Sequence, residues 1–284
     1  MTATAKNTDN IIAFQGEPGA YSHMAAIAKF PNMEVLPCQS FEDALAAVQD
    51  GNARLAMIPI ENSTAGRVAD IHILLPGSGL YIIGEHFESV RHCLMGTEQS
   101  SLDTIKTVTS HIQALDQCRH NIRAAGFARE TFADTAGAAH YVAEKGDTSL
   151  AALASKLAAE VYDLKIIQED FQDEGNNTTR FVVLSREPVD VATLKGPLMT
   201  SFTFEVKNVP AALYKALGGF ATNMVNMTKL ESYYESDSFT ATEFYADIVG
   251  HESMENVARA MEELRFHTKH VNILGTYEQE RQRG

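Results

Sequence analysis

Apolar and polar residues follow two different periods along the chain. From Ile11 to about Arg186, short apolar segments alternate with stretches in which apolar residues recur every three or four positions. This order of strands and amphipathic helices predicts an α/β unit with a largely parallel sheet. A long βαβ-like insertion between two strands of one sheet predicts two lobes with a cleft between them.

Several short segments contain residues that are typical of helix ends, buried strands or helices. Ser40 is placed to cap a helix, and Gly51 stands where that helix should end. The strand at residues 55–60 is nearly all apolar, which is typical of a strand covered on both faces. The stretch from Leu150 to Asp163 is predicted to be helical.

The order of elements changes towards the C-terminus. An alternating strand with Phe202 and Phe204 on one face precedes a helix predicted to have Pro210 in its first turn. Two strands, a helix and a last strand follow, and βαββαβ is a ferredoxin-like order. The predicted boundaries are a disordered N-terminus at residues 1–10, an α/β domain at 11–186 with its second lobe at about 85–165, a linker at 187–198 and a C-terminal domain at 199–284.

Charge and composition narrow the classes of function. The chain has 284 residues and a formal net charge of -14, so it lacks the basic face that nucleic acid or anionic lipid requires. No leader-like or membrane-spanning apolar run is present, which predicts a cytoplasmic protein. Cys38, Cys93 and Cys118 form no CxxC pair, and the histidines show no metal-ligand spacing, so neither a disulfide framework nor a metal site is expected.

Four polar motifs adjoin predicted strands: three follow a strand, where α/β proteins bind their ligands, and the fourth precedes one. They are GEPGAYSHMAA (16–26), IPIENSTAGRV (58–68), SHIQALDQC (110–118) and GNNTTRF (175–181). Each also has an ordinary structural explanation: a strand-to-helix turn, a capped helix start, a structural histidine, and threonines in a strand. Spacing alone leaves these alternatives open.

Taken together and in this order, the four motifs resemble the catalytic domain of prephenate dehydratases, over about residues 11–185. The ENS and TRF triplets at 61–63 and 179–181 are its most specific parts, and the C-terminal βαββαβ unit resembles an ACT domain. The resemblance implies a two-lobed, periplasmic-binding-protein-like catalytic domain followed by a ferredoxin-like ACT regulatory domain. It also implies conversion of prephenate to phenylpyruvate in L-phenylalanine biosynthesis, without a metal or organic cofactor.

The sequence departs from the family pattern at three places. Ile112 replaces the proline of SHPQA, the GALV motif reads Ala211 to Tyr214, and ESRP reads Glu231 to Tyr234. Half of the last motif is therefore lost, so the expected phenylalanine site departs further from the family pattern than the catalytic motifs do.

The resemblance assigns roles residue by residue. Thr179, Arg180 and Glu61 are the expected catalytic group. We expect Thr179 to donate a hydrogen bond to the departing hydroxyl, Arg180 to hold a carboxylate, and Glu61 to act as proton reservoir if its pKa is raised. The expected substrate-binding residues are Asn62, Ser63, Ser22, Ser110, His111, Gln113, Thr178 and Phe181. The expected phenylalanine site, shared between subunits, comprises Asn208, Val209, Pro210, Ala211, Ala212, Leu213, Asn226, Met227, Thr228, Glu231 and Ser232.

Two alternatives remain open from the sequence. The first is arogenate dehydratase, whose substrate carries an amino group where prephenate has a keto group. A cytoplasmic amino-acid-sensing binding protein without catalysis would use the same two-lobed fold, although the ENS and TRF triplets argue against it. The expected partners are prephenate, L-phenylalanine and further copies of the chain in a homodimer or homotetramer.

Overall fold

The computed structural model of this chain describes residues 8–234 and 241–283, with the side chains of Tyr234, Ala241 and Thr242 excepted. Most of the N-terminus predicted to be disordered lies outside these residues. Its last part, Thr8–Asn10, forms one turn of 3-10 helix. Within the described residues, no helix is long and apolar enough to cross a membrane.

The described chain divides into two compact units. Unit 1 comprises residues 8–68 and 87–181, and unit 2 comprises residues 69–86 and 182–283. The chain therefore passes into unit 2 and back again before it enters that unit for the last time.

Strands and helices alternate through the first two thirds of the chain. In chain order the elements are β1 (Ile11–Gln15), α1 (Tyr21–Lys29), β2 (Glu34–Cys38), α2 (Phe41–Gln49), β3 (Leu55–Asn62), β4 (Gly66–Arg67), α3 (Ala69–Leu74), β5 (Tyr81–Ser89), β6 (Cys93–Gly96), β7 (Thr107–His111), α4 (Ile112–Gln117), α5 (Arg119–Ala125), β8 (Ala128–Phe132), α6 (Thr135–Lys145), β9 (Leu150–Ala154), α7 (Lys156–Val161), β10 (Lys165–Gln168) and β11 (Thr178–Ser185).

These strands form two mixed sheets. The first has the order β2-β1-β3-β11-β5 with β4 paired to β3, and the second has the order β10-β6-β9-β7-β8. β1 runs parallel to β2 and β3, and β7 runs parallel to β8 and β9, whereas β6 is antiparallel to both of its neighbours. The predicted α/β class with two lobes is confirmed.

Local chemistry explains the helix start that the sequence predicts at Ser40. The Ser40 hydroxyl accepts a hydrogen bond from the backbone N–H of Asp43 at 3.0 Å, and the Asp43 carboxylate accepts one from the backbone N–H of Ser40 at 3.2 Å. This reciprocal capping box satisfies two of the donors that a helix start leaves unpaired. The predicted N-cap is confirmed.

The prediction of one helix from Leu150 to Asp163 is wrong. Residues Leu150–Ala154 form β9, every residue of which is buried, and α7 begins only at Lys156. Alanine and leucine favour helices in isolation, but here they fill a central strand of the second sheet. The overlooked signal is Ser155, whose hydroxyl accepts from the backbone N–H of Ala158 and caps the short helix after the strand.

Unit 2 contains the C-terminal βαββαβ order that the sequence predicts. Its elements are β12 (Leu198–Val206), α8 (Ala212–Thr222), β13 (Met227–Tyr234), β14 (Ala241–Val249), α9 (Glu255–His267) and β15 (Thr268–Glu278). The antiparallel sheet has the order β13-β14-β12-β15, as in a ferredoxin-like fold. Phe202, Phe204 and Phe244 are buried against residues of α8 and α9, so the predicted apolar face is confirmed.

One backbone feature of unit 2 departs from expectation. The helix predicted to include Pro210 in its first turn begins at Ala212, and the residue before it, Ala211, has a φ of 64°. This left-handed conformation suits glycine, the residue that the GALV pattern has there, and is strained for alanine.

Replacing Ala211 with glycine should therefore stabilise the protein. Relief of the left-handed strain outweighs the larger entropy of glycine in the unfolded chain, so Ala211→Gly should raise the free energy of unfolding by about 0.5–1 kcal/mol. Denaturant titration measures the change. Ala221→Gly, at an exposed position near the end of the same helix, is the control and should lower stability by a similar amount.

Candidate active site

The end of β3 and the start of β11 meet through backbone hydrogen bonds. The backbone N–H of Ser63 donates to the carbonyl oxygen of Thr178 at 2.9 Å, and the N–H of Thr178 donates to the Ser63 hydroxyl at 3.0 Å. The Ser63 hydroxyl in turn donates to the Asn176 carbonyl at 3.1 Å. Two motifs more than 110 residues apart in sequence are thereby brought into one place.

The Asn62 side chain is the centre of this arrangement. Its Oδ1 accepts hydrogen bonds from the backbone N–H groups of Thr64 and Ala65, at 2.9 and 2.8 Å. Its Nδ2 donates to Thr179 Oγ1 at 2.9 Å and to Asn177 Oδ1 at 2.6 Å. A backbone N–H group can only donate a hydrogen bond, so the atom of Asn62 that faces Thr64 and Ala65 must be its amide oxygen. The orientation of the Asn62 side chain is therefore fixed.

This geometry decides what the Thr179 hydroxyl can do. Its oxygen accepts a hydrogen bond from Asn62 Nδ2, which leaves its own proton to be donated to another group. Thr179 is 8% exposed, so it is almost withdrawn from bulk water and its donated hydrogen bond acts in a low-dielectric setting.

Arg180 and Glu61 form an ion pair, with Arg180 Nη1 2.9 Å from Glu61 Oε1. The arginine is 1% exposed and the glutamate 30% exposed at their side chains. An adjacent guanidinium favours the ionised carboxylate, which argues against Glu61 as a store of protons. Its role as proton reservoir stays a prediction that this contact does not favour.

A cavity of about 470 Å³ in unit 1 lies beside these residues. Gln113 and Gln117 stand one helical turn apart on α4, and both line it. Arg119 contributes a cation to the wall, while the Asp173 carboxylate accepts from the backbone N–H groups that follow in α5. The lining residues are Thr64, Ala65, Gln113, Asp116, Gln117, Arg119, His120, Asp173, Glu174, Asn176 and Asn177.

Of the residues predicted for catalysis and substrate binding, only Gln113 lines this cavity. Thr179, Arg180, Glu61, Asn62, Ser63 and Thr178 lie outside its lining. Ser110 is fully buried, and its hydroxyl donates to the Leu153 carbonyl at 2.6 Å. Phe181 is 1% exposed and Ser22 is buried within α1. His111 caps α4 through Nδ1, which accepts from the backbone N–H of Gln113. We therefore assign Ser110 and Phe181 to support of the fold.

Among the cavity-lining residues that sequence reasoning missed, Asn177 and Gln117 are hydrogen-bonded to each other. Asn177 Nδ2 donates to Gln117 Oε1 at 2.9 Å, which joins α4 to the residues before β11. Gln117 could have been found from its i, i+4 spacing with Gln113 on the predicted helix. Asn177 precedes the threonines of the fourth motif and had no periodic signal of its own.

The fold and the site define a two-lobed α/β protein with a ferredoxin-like C-terminal unit. The model of the prephenate dehydratase family matches residues 12–189, which is more than half of the chain. The chain therefore belongs to the prephenate dehydratase family, as its motifs predicted.

Individual relatives and solved structures agree with this assignment. A bifunctional N-acyl-homoserine lactone acylase/prephenate dehydratase of Komagataeibacter europaeus is 49% identical over 95% of this chain and 96% of its own length. Arogenate dehydratase/prephenate dehydratase 2 of Arabidopsis thaliana is 36% identical over 98% of this chain and 75% of its own. The crystal structure of prephenate dehydratase from Arthrobacter aurescens with L-Phe has a TM-score of 0.86 at 28% identity, covering 95% of this chain and 90% of that one.

The Glu61–Arg180 pair predicts a loss of stability in Glu61→Gln. This change leaves a buried guanidinium beside a neutral amide, and we expect the free energy of unfolding to fall by about 2 kcal/mol. Glu169→Gln is the matched control, because Glu169 pairs with Lys156 at the surface and should cost less than about 0.5 kcal/mol. Equal losses in the two variants, measured by denaturant titration, would show that the buried pair is not stabilising.

Proposed function

We propose that this protein converts prephenate to phenylpyruvate by decarboxylation and dehydration in L-phenylalanine biosynthesis. The observation that carries the proposal is the hydrogen bond from Asn62 to Thr179, in which the threonine oxygen accepts, so that its own proton can be donated to another group. Membership of the prephenate dehydratase family supports the same reaction. We also propose that the protein is located in the cytoplasm.

The main chemical difficulty of the reaction is the departure of hydroxide, which is a poor leaving group. The carbon–carbon bond to the ring carboxylate breaks and releases carbon dioxide, its electron pair enters the ring, and the carbon–oxygen bond to the ring hydroxyl breaks. Hydroxide departs and becomes water when it takes up a proton. A hydroxyl that donates to the departing oxygen stabilises the charge that develops there. We propose that Thr179 gives that hydrogen bond.

The remaining groups position the substrate and the donor. Because Arg180 is buried and paired with Glu61, we assign it to holding the end of β3 against the start of β11. Arg119, Gln113 and Gln117 line the cavity, and we propose that they meet the substrate's carboxylates and its keto oxygen.

Thr179→Ala should lower kcat by a factor of about 10² to 10⁴ with little change in KM, because the lost hydrogen bond forms fully only in the transition state. Thr179→Ser keeps the hydroxyl and should retain much of the activity. Phenylpyruvate absorbance follows the reaction. Near-parental turnover by the alanine variant would remove Thr179 from the mechanism.

The same assay separates the candidate substrates. Arogenate is tested in parallel, because the Arabidopsis relative carries both dehydratase names. An N-acyl-homoserine lactone is the third substrate, because the Komagataeibacter relative is named for that activity and matches nearly the whole chain. Turnover of arogenate or the lactone, with none of prephenate, would overturn the proposal.

We propose further that phenylalanine binds unit 2 and lowers activity. A cavity of about 440 Å³ there is lined by the loop before α8 and by residues of β13 and β14. From the predicted effector set it brings together Asn208, Val209, Ala211, Ala212, Leu213 and Ser232. Pro210 does not line it, and neither do Asn226, Met227, Thr228 and Glu231, which we assign to the corresponding face of a second subunit in a homodimer or homotetramer.

Filling this cavity should abolish regulation and spare catalysis. Ser232→Phe places a ring in the space, so we expect calorimetric binding of phenylalanine and its inhibition of turnover both to be lost, at unchanged kcat. Leu230→Phe is the control, since Leu230 lies on the same strand, is 39% exposed and does not line the cavity. Unaltered inhibition in Ser232→Phe would place the effector elsewhere.

A further inference from the structure

The hydrogen bonds at Asn62 continue well beyond the cavity. Asn177 Nδ2 donates to Gln117 Oε1 at 2.9 Å, and His92 Nε2 lies 2.8 Å from the same oxygen. His92 Nδ1 lies 2.9 Å from the Tyr21 hydroxyl. A continuous chain of side chains therefore runs from Tyr21 on α1, through His92 and α4, to the threonine on β11.

Two backbone N–H groups determine which end of each side-chain amide in this chain donates and which accepts. The N–H groups of Thr64 and Ala65 fix Asn62 with Nδ2 as the donor to Asn177 Oδ1. Asn177 must then present Nδ2 to Gln117, and Gln117 must present Oε1. An amide oxygen only accepts, so the nitrogen of His92 that faces it carries a proton.

The environment of His92 defines its tautomer. Its ring is 2% exposed, and burial lowers its pKa, which favours the neutral imidazole. With the proton on Nε2, the neutral ring has Nδ1 as an acceptor. The groups that face the ring are the Tyr21 hydroxyl and the Gln117 amide oxygen, and the Gln172 amide oxygen accepts from the backbone N–H of His92 at 2.8 Å.

Tyr21 supplies the donor at the far end. Its hydroxyl donates to the carbonyl oxygen of Arg91 at 2.7 Å and also lies 2.9 Å from His92 Nδ1, so two acceptors face its one proton. Burial raises the pKa of Tyr21 well above its usual range, which keeps the phenol protonated. The hydroxyl is thus a permanent donor beside the imidazole.

We propose that His92 and Tyr21 are positioning residues for the reaction at Thr179. They hold the Gln117 amide with its oxygen towards Asn177, and through Asn177 they keep Asn62 Nδ2 in place as the donor to Thr179 Oγ1. Reversal of any one amide would place two donors or two acceptors face to face, so the chain has one consistent direction. The assignment rests on the proposed function, because it acts through the threonine.

Three substitutions test the chain at its far end. His92→Leu removes both ring nitrogens, and kcat should fall by about 10- to 100-fold with KM within about threefold, as small errors of orientation affect the transition state most. His92→Gln puts an amide near the position of Nε2 and should recover most of that loss. Tyr21→Phe should lower kcat by about three- to tenfold.

The matched control is His23→Leu. His23 lies on α1, stacks on Phe14, and accepts from the backbone N–H of Gly19, outside the chain. It is half-buried, and burial lowers its pKa as well, so the same substitution is made in a similar setting. Thermal unfolding of each variant shows that the protein remains folded at the assay temperature.

A second measurement does not depend on activity. In nitrogen-15 NMR of the parent protein, with the His92 signals assigned from their absence in His92→Gln, Nε2 should carry the proton and Nδ1 should not. A protonated Nδ1 with bare Nε2 would overturn the chain's direction.

The outcomes are distinguishable. Absence of prephenate turnover in the parent would overturn the proposed function, while the tautomer would still test the chain. With an active parent, equal kcat losses in His92→Leu and His23→Leu, or a failure of His92→Gln to recover activity, would show that His92 has only a structural role.

Discussion

The active-site arrangement depends on two backbone N–H groups that hold one amide oxygen. Thr64 and Ala65 donate to Asn62 Oδ1, and this leaves the other end of the amide to donate to Thr179 and Asn177. An aspartate at position 62 could accept from both backbone groups but could not donate to the threonine. A hydrophobic residue would leave two turn amides without an acceptor. The chemistry of the site therefore requires an asparagine at this position. Its side-chain hydrogen bonds continue, through the intervening side chains, as far as Tyr21.

The fold contributes by bringing the ends of distant segments together. Asn62 and Thr179 are 117 residues apart in sequence, and they meet because β3 and β11 are neighbours in the first sheet. Gln117 comes from α4, which follows β7 of the second sheet, so the hydrogen-bonded chain joins both lobes of unit 1. A change in the separation of the lobes would break this chain before it disturbed either core.

Sequence patterns predicted the parts of this structure that depend on local chemistry. The Ser40 cap, the alternation in β12 and the polar residues at the end of β3 all follow from short-range rules. The strand at Leu150–Ala154 was missed because a short run of alanine and leucine has no period that separates strand from helix. His92 and Tyr21 could not be found in this way, because their role depends on contacts across 71 and 25 residues that no local period encodes.

The altered ESRP segment shows why a lost motif need not mean a lost site. Successive residues of a strand face opposite sides of the sheet, so Ser232 and Tyr233 face different surroundings. Ser232 lines the cavity beside α8, whereas the Tyr233 hydroxyl lies 2.6 Å from Nδ1 of His72, a buried residue of α3 in the same unit. The tyrosine that replaces arginine thus changes a contact on the far face of the sheet. The loop before α8 also lines this cavity, and there the strained Ala211 departs from the family pattern.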